Sequence, residues 1–356
     1  MRMTKGLAVG PRVFLSPPSG GAGFRQCHAA SLAFLPDGSL FAAFFAGTKE
    51  GAGDTAIWTA RGAGEAWQAP RRAIAEKGVA HWNPVLHADR GRLLLFHKTG
   101  ATVHDWVTRL AVSTDGGARW SAPRPLVAGE AAPRGPVKNK LLVTADGTWL
   151  APGSTEDARH WDTFVDRSTD RGANWTLAPI PIAHREPGAP GERLWKGLAE
   201  DALWEGDPAR AFAWDGVIQP TLWESTPETI HALMRSTRGA AYRSDSRDGG
   251  RSWCAAYPTP LANNNSGLDL ARLTDGRLVL ACNPVAGNWS ARTPLVLLVS
   301  ADNGETWRQE AVLEDEDGEF SYPAIIPAPD GTGLHVAYTW NRKAIVYRAV
   351  GIGASA

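Results

Sequence analysis

Ser113-Thr114-Asp115-Gly116-Gly117-Ala118-Arg119-Trp120 decides the fold, because it returns. The frame Ser-x-Asp-x-Gly-x-x-Trp recurs as Ser168, Asp170, Gly172 and Trp175, then as Ser246, Asp248, Gly250 and Trp253, and again as Ser300, Asp302, Gly304 and Trp307. A worn copy keeps only Gly64 and Trp67. The four starts lie 55, 78 and 54 residues apart, and a repeat of ~50 residues argues for radial β repetition. The motif's own chemistry is structural. An Asp in a tight turn accepts hydrogen bonds from nearby amides, Gly supplies the positive φ that other residues resist, and Trp buries a large apolar body against neighbouring strands. These residues are therefore a fold signal and not a catalytic one.

Between the boxes runs a second repeat: a polar residue, an apolar strand, a turn and another apolar strand. His28 leads into Ser31–Leu35, Asp37-Gly38 and Leu40–Phe45. Asn83 leads into Val85 and Leu86, then Arg90-Gly91 and Leu93–Phe96; Asn139 into Leu141–Val143, Asp146-Gly147 and Trp149. Gln219 leads into Thr221–Trp223 and Ile230–Met234, Asp269 into Leu270–Leu273 and Leu278–Ala281, and Tyr322 into Ala324–Ile326 and Leu334–Ala337. Asp-Gly pairs between apolar runs are hairpin signals. The expectation is an all-β chain: a six-bladed β-propeller of four-stranded antiparallel blades spanning residues 24–352. The N-terminal segment 1–23 closes the last blade through Arg12–Leu15. One stretch breaks the period: residues 176–215, rich in proline and with a short helix expected around Trp195–Leu203, read as a long inter-blade loop.

The bulk numbers set bounds. Lys plus Arg and Asp plus Glu stand at 37 each, which gives no reason to expect nucleic acid as a partner. No apolar run reaches the ~20 residues of a membrane span, and no signal peptide is visible, so a cytoplasmic location is expected. Cys27, Cys254 and Cys282 are few and scattered; they read as buried thiols rather than a disulfide or zinc framework. No metal site and no cofactor are expected.

In a propeller the innermost strands begin on one face, so His28, Asn83, Asn139, Gln219, Asp269 and Tyr322 are expected to converge there. Arg235, Arg243 and Arg292, with Lys138, fall near the same face by strand arithmetic, as do Glu50 and Asp54 in the loop after the second strand. A cluster of guanidinium groups at a pocket implies an anionic ligand group.

With these residues in place, the chain resembles the sialidase superfamily with Asp-box repeats, from about Phe24 to Val350. The resemblance implies three arginines for a substrate carboxylate, a tyrosine nucleophile with a glutamate partner, and an aspartate acid/base. Arg235 and Arg292 match the second and third arginines, and Tyr322 in Glu319-Phe320-Ser321-Tyr322 matches the nucleophile, with Glu319 beside it. Three slots depart. Trp82-Asn83-Pro84 puts an amide where the acid/base aspartate is expected, Gln219 fills the glutamate slot, and Arg25-Gln26-Cys27-His28 stands where an Arg-Ile-Pro is expected. Asn and Gln carry no titratable proton at neutral pH. The implied function is hydrolysis of a terminal acidic sugar on an oligosaccharide or glycoconjugate, with Tyr322 as nucleophile and His28, Glu50 or Asp54 moving protons, and with Trp82, Asn83, Asn139, Gln219, Asp269, Lys138 and the arginines binding sugar. A uronate-glycoside lyase and a non-catalytic carbohydrate-binding propeller are the alternatives.

Overall fold

The four boxes fold into nearly superimposable turns. In each, the Ser hydroxyl donates to the Asp carboxylate and accepts the Gly N–H: at 2.8 and 2.8 Å in the Ser113 box, 2.8 and 2.8 Å in the Ser168 box, 2.8 and 2.9 Å in the Ser246 box, and 2.7 and 2.8 Å in the Ser300 box. Asp115 accepts the Arg119 N–H at 2.9 Å, and such amide bonds hold its carboxyl below the usual range. Gly117 has a φ of 82° and lies so close to the Phe41 ring that a Cβ there would sit 2.4 Å from it. Each Trp then packs on an apolar cluster: Trp120 beside Phe41, Trp175 beside Trp149, Trp253 beside Leu150, and Trp307 beside Trp223.

The computed structural model describes residues 6–17, 23–157, 159–185, 214–288 and 290–353. Among them there is no α-helix, only strands and one 3-10 turn, Val103–Asp105. The strands form five hydrogen-bonded sheets. One runs Gln26–Phe34, Leu40–Gly47 and Ala56–Ala63, with the short strands Ala66–Trp67 and Arg71–Ile74 on its edge. The next runs His81–Asp89, Arg92–Thr99, Val107–Ser113 and Arg124–Pro125. The largest, eight-stranded, contains two antiparallel runs. Leu142–Val143, Trp149–Glu156, His160–Ser168 and Thr176–Ile180 make the first, and Asp215–Thr226, Thr229–Ser236, Ala240–Ser246 and Tyr257–Ala262 the second. A two-residue parallel contact, His160 to Asp215 and Trp161 to Gly216, joins them. Asp269–Arg272, Leu278–Cys282, Leu295–Ser300 and Arg308–Glu314 form another sheet, and Phe320–Pro327, Gly333–Trp340 and Ala344–Ile352 the last.

The apolar faces of successive runs meet in dry clusters, and the first run also packs on the last. Leu32, Leu40 and Phe44 lie against Ala337, Ile345 and Tyr347. The N-terminus completes that closure, since Leu7–Val9 and Val13–Phe14 both pair with Ala344–Ile352. Buried Glu314 fastens it by accepting from Arg12, Arg348 and Tyr338.

Two expectations need correction. Residues 176–180 are not loop: Thr176–Ile180 pairs with His160–Ser168. Cys27 and Cys282 are buried, but Cys254 is exposed, because it follows the box Trp on a solvent-facing edge. The helix expected around Trp195–Leu203 lies outside the described residues. No helix among the described residues is long and apolar enough to cross a membrane.

Candidate active site

Four innermost strands break their ladders at the same point. Pairing jumps from His28 to Ser31, from Trp82 to Val85, from Ile218 to Thr221 and from Ser321 to Ala324. The first residue of each skipped pair adopts a left-handed φ: Ala29 at 55°, Asn83 at 36°, Gln219 at 56° and Tyr322 at 52°. Such a conformation costs a non-glycine residue roughly 1–3 kcal/mol. The second skipped residue is Ala30, Pro84, Pro220 or Pro323; proline has no N–H to leave unpaired where the ladder is broken. A bulge re-aims the side chain it carries. Asn83, Gln219 and Tyr322 thereby line one pocket of about 600 Å³, which Trp82, Glu50, Arg235 and Arg292 also line.

The bulges are braced from below. Asn139 donates its amide to the carbonyls of Gln219 and Pro220, both at 3.0 Å. Lys138 donates to the carbonyls of Leu268, at 3.1 Å, and Pro323. Asp269 accepts from the Thr221 hydroxyl at 2.8 Å, the Ile325 N–H at 3.0 Å and Lys140 at 2.9 Å. Burial pulls the Lys138 ammonium down to about 7, with Asp269 opposing. Lys138, Asn139 and Asp269 were expected to bind sugar. The structure places them under the pocket: Asn139 and Lys138 hold carbonyls of the bulges at Gln219, Pro220 and Pro323, and Asp269 ties Thr221, Lys140 and the Ile325 N–H together. Gly267 completes this floor, since a Cβ there would lie 3.2 Å from both Lys138 and the Tyr322 ring.

Above the brace, two N–H donors converge on the Tyr322 oxygen: Arg235 Nη1 at 2.6 Å and Gln219 Nε2 at 3.4 Å. Arg235 also donates to Gln219 Oε1 at 3.1 Å and Asn265 Oδ1 at 2.9 Å, so all these partners are uncharged. Guanidinium groups flank the Tyr322 ring, Arg235 at 5.6 Å and Arg292 at 5.5 Å from its centroid. Arg292 and Arg342 share Glu319, at 3.2 and 3.0 Å, and Arg342 also pairs with Glu50. Burial pulls Arg292 down to about 9 against the attraction of Glu319. Burial acts on Arg342 too, but Glu319 and Glu50 more than offset it and hold that group above its ordinary value.

The other expected residues fall in different places. Glu319 is the buried counter-ion of two arginines. His28 lies beneath Tyr322, ring centroids 4.1 Å apart, with Nδ1 at 2.8 Å from the Thr339 hydroxyl. Burial, then Arg342, Arg292, Arg235 and Lys138, push its imidazole far below the usual range. Both effects disfavour its protonated form. Asp54 is exposed and accepts from Thr48. Arg243 is remote from the pocket, bound to Asp245 and Glu305 and packed over Trp223. Arg25 is exposed, and Arg342 enters the pocket instead from the neighbouring run, its carbonyl accepting the Cys27 N–H at 2.8 Å. Sequence reasoning missed Arg342, Glu156 and the aromatic wall of Trp106, Trp161 and Trp214. The Asn341-Arg342 turn, with φ of 48° and 55°, carries no motif that marks it.

Residues 38–336 match the BNR repeat-like domain family. The chain belongs to that family. Comparison with curated protein sequences returns no match. Among solved structures, this BNR-repeat protein is similar to a Dyadobacter fermentans protein of unknown function, at 16% identity and TM-score 0.74, covering 98% of this chain and 99% of that one. It is also similar to the NanB sialidase of Streptococcus pneumoniae, at 11% identity and TM-score 0.65, covering 94% and 69% of the two chains. The Trypanosoma rangeli sialidase follows at 14% and 0.66, covering 98% of this chain and 60% of its own length. At these identities the likeness is one of fold: all-β and of the sialidase propeller type.

Proposed function

We propose that the chain is a sialidase-like glycoside hydrolase that removes a terminal carboxylate-bearing sugar from an oligosaccharide or glycoconjugate, on a propeller of six blades. The blade count rests on dividing the eight-stranded sheet at its two-residue parallel contact. The observation that carries the function is the Tyr322 oxygen under two converging donors, with Arg235, Arg292 and Arg342 around it in one pocket. Donors aimed at an oxygen stabilise the negative charge that it carries as a nucleophile. The arginines suit a sugar carboxylate by forked pairing. The neighbours lend support: the Trypanosoma rangeli sialidase binds sialic acid in the same fold.

One observation favours a second reading, lyase chemistry on a uronate glycoside. Gln219 and Asn83 face the pocket where proton-transferring carboxylates are expected, and amides beside an arginine suit binding of a uronate carboxylate. Mass spectrometry of a mixed pool of sialylated and uronate-containing oligosaccharides separates the two. Fragments whose summed mass gains one water support hydrolysis; fragments that split without that gain support the lyase. An unchanged pool points to a binding propeller.

A further inference from the structure

Hydrolysis needs a group that protonates the leaving oxygen and later takes a proton from water. Asn83 and Gln219 cannot do either, and His28 is shut beneath the tyrosine. Two carboxylates line the pocket, Glu50 and Glu156. Glu50 is committed to Arg342. The carboxyl of Glu156 has no hydrogen-bond partner among the described residues.

Its placement is fixed by the backbone. Glu156 ends the strand Trp149–Glu156 and sits directly opposite Trp161. Opposed residues of an antiparallel pair project to the same side, with Cβ atoms about 5 Å apart. Trp161 carries Arg235 over its ring at 5.4 Å, and Arg235 donates to the Tyr322 oxygen. On the other side His104 Nδ1 reaches the Glu156 carbonyl at 2.8 Å. This bond ties the 3-10 turn Val103–Asp105, capped by Thr102, to the end of the strand. Glu156 is thus pinned one cross-strand step and one guanidinium away from the tyrosine.

We infer that Glu156 is the catalytic acid and base of this pocket; the role rests on the hydrolase reading above. In the first step the bond from the anomeric carbon to the leaving oxygen breaks. Its electron pair goes to that oxygen, which takes the proton of Glu156. The Tyr322 oxygen bonds to the anomeric carbon, and the phenolic proton passes to solvent. In the second step water adds to the anomeric carbon and gives a proton to the Glu156 carboxylate. The tyrosyl bond breaks, and the phenol regains a proton from solvent.

The electrostatics of the pocket suit this duty. Burial raises the Glu156 carboxyl to about 7; Arg235 and His104 pull it down, and Glu50 pushes it up. A donor must be protonated to act, so activity falls as pH rises through about 7. A substrate carboxylate on Arg235 offsets that cation's pull. The alkaline limb of kcat is therefore displaced to higher pH than that of kcat/KM.

The test uses the full chain and two substrate pairs, a sialoside and a glucuronide, each linked either to a sugar hydroxyl or to a dinitrophenol. Glu156→Gln is expected to lose about 100-fold or more on the sugar-linked substrate. On the dinitrophenyl substrate, whose leaving group needs no proton, the bond-breaking step is expected to lose less than about tenfold. The alkaline limb is expected to vanish, and Glu156→Asp to restore part of the loss. Equal losses on both leaving groups, or an unchanged pH profile, overturn the role while leaving the hydrolase reading intact. A wild type that hydrolyses none of the four substrates overturns that reading and the role with it.

Discussion

The box turns and the strand bulges are both repeated backbone devices, and they diverge in what they repeat. The boxes repeat backbone and side chains together: Ser, Asp, Gly and Trp return with hydrogen bonds that agree within 0.1 Å. The bulges repeat only the backbone. Ala29, Asn83, Gln219 and Tyr322 share a left-handed φ, while their side chains are a methyl, two carboxamides and a phenol. Where every copy needs the same atoms, the need is the turn itself. Where a costly conformation is kept while the side chain changes, the conformation is a mount and the side chain is the function.

This contrast is open to attack at several strengths. Tyr322→Phe keeps the bulge and removes the oxygen; kcat/KM on the glycoside identified by mass spectrometry is expected to drop by about 1000-fold or more, while the lost Arg235 bond lowers stability by only about 1–2 kcal/mol. A variant that retains activity breaks the reading of that mount. Glu319→Gln leaves Arg292 and Arg342 facing each other without their shared counter-ion. Stability is expected to fall by about 3 kcal/mol in urea titration, and sugar binding with it. Ser300→Ala in a box should lower stability by about 1 kcal/mol and leave kcat/KM within twofold (about 0.4 kcal/mol); a large loss of activity would erase the distinction between the two devices. The smallest effect is at the bulge whose side chain does least. Ala29→Gly relieves a left-handed alanine and is expected to raise stability by roughly 0.5–1 kcal/mol.

The turns were legible in sequence because their residues are dictated locally: Asp-Gly between apolar runs and the Ser-x-Asp-x-Gly frame both specify a backbone shape within a few residues. The X-Pro steps at Asn83, Gln219 and Tyr322 are a signal that the sequence reading left unused, since a proline inside an inner strand signals a broken ladder. What lay beyond sequence was whatever the ring assembles from distant parts. Arg342 reaches the site from a turn with no motif, across a strand boundary. Glu156 becomes notable only when desolvated beside Arg235. Arg243 and Asp54 sat at plausible strand ends, but nearer partners claimed them, Asp245 and Glu305 for the first and Thr48 for the second. Lys138 and Asn139 lie at the expected depth but hold bulge carbonyls, and Asp269 holds Thr221 and the Ile325 N–H, because the sequence does not say which groups near a bulge need a partner.

The closing ladder has a mechanical consequence. Leu7 lies opposite Ile352, Ala8 opposite Gly351 and Val9 opposite Val350, and the Gly353 N–H reaches the Gly6 carbonyl at 3.0 Å. A load applied between Gly6 and Gly353 meets these rungs singly, as a zip is drawn from its end, and never as a set that shares the force. A tether on one end leaves the fastening unloaded. Tension between both ends peels the first strand from the last at low force, while the apolar contact of Leu32, Leu40 and Phe44 with Ala337, Ile345 and Tyr347 lies outside the line of load.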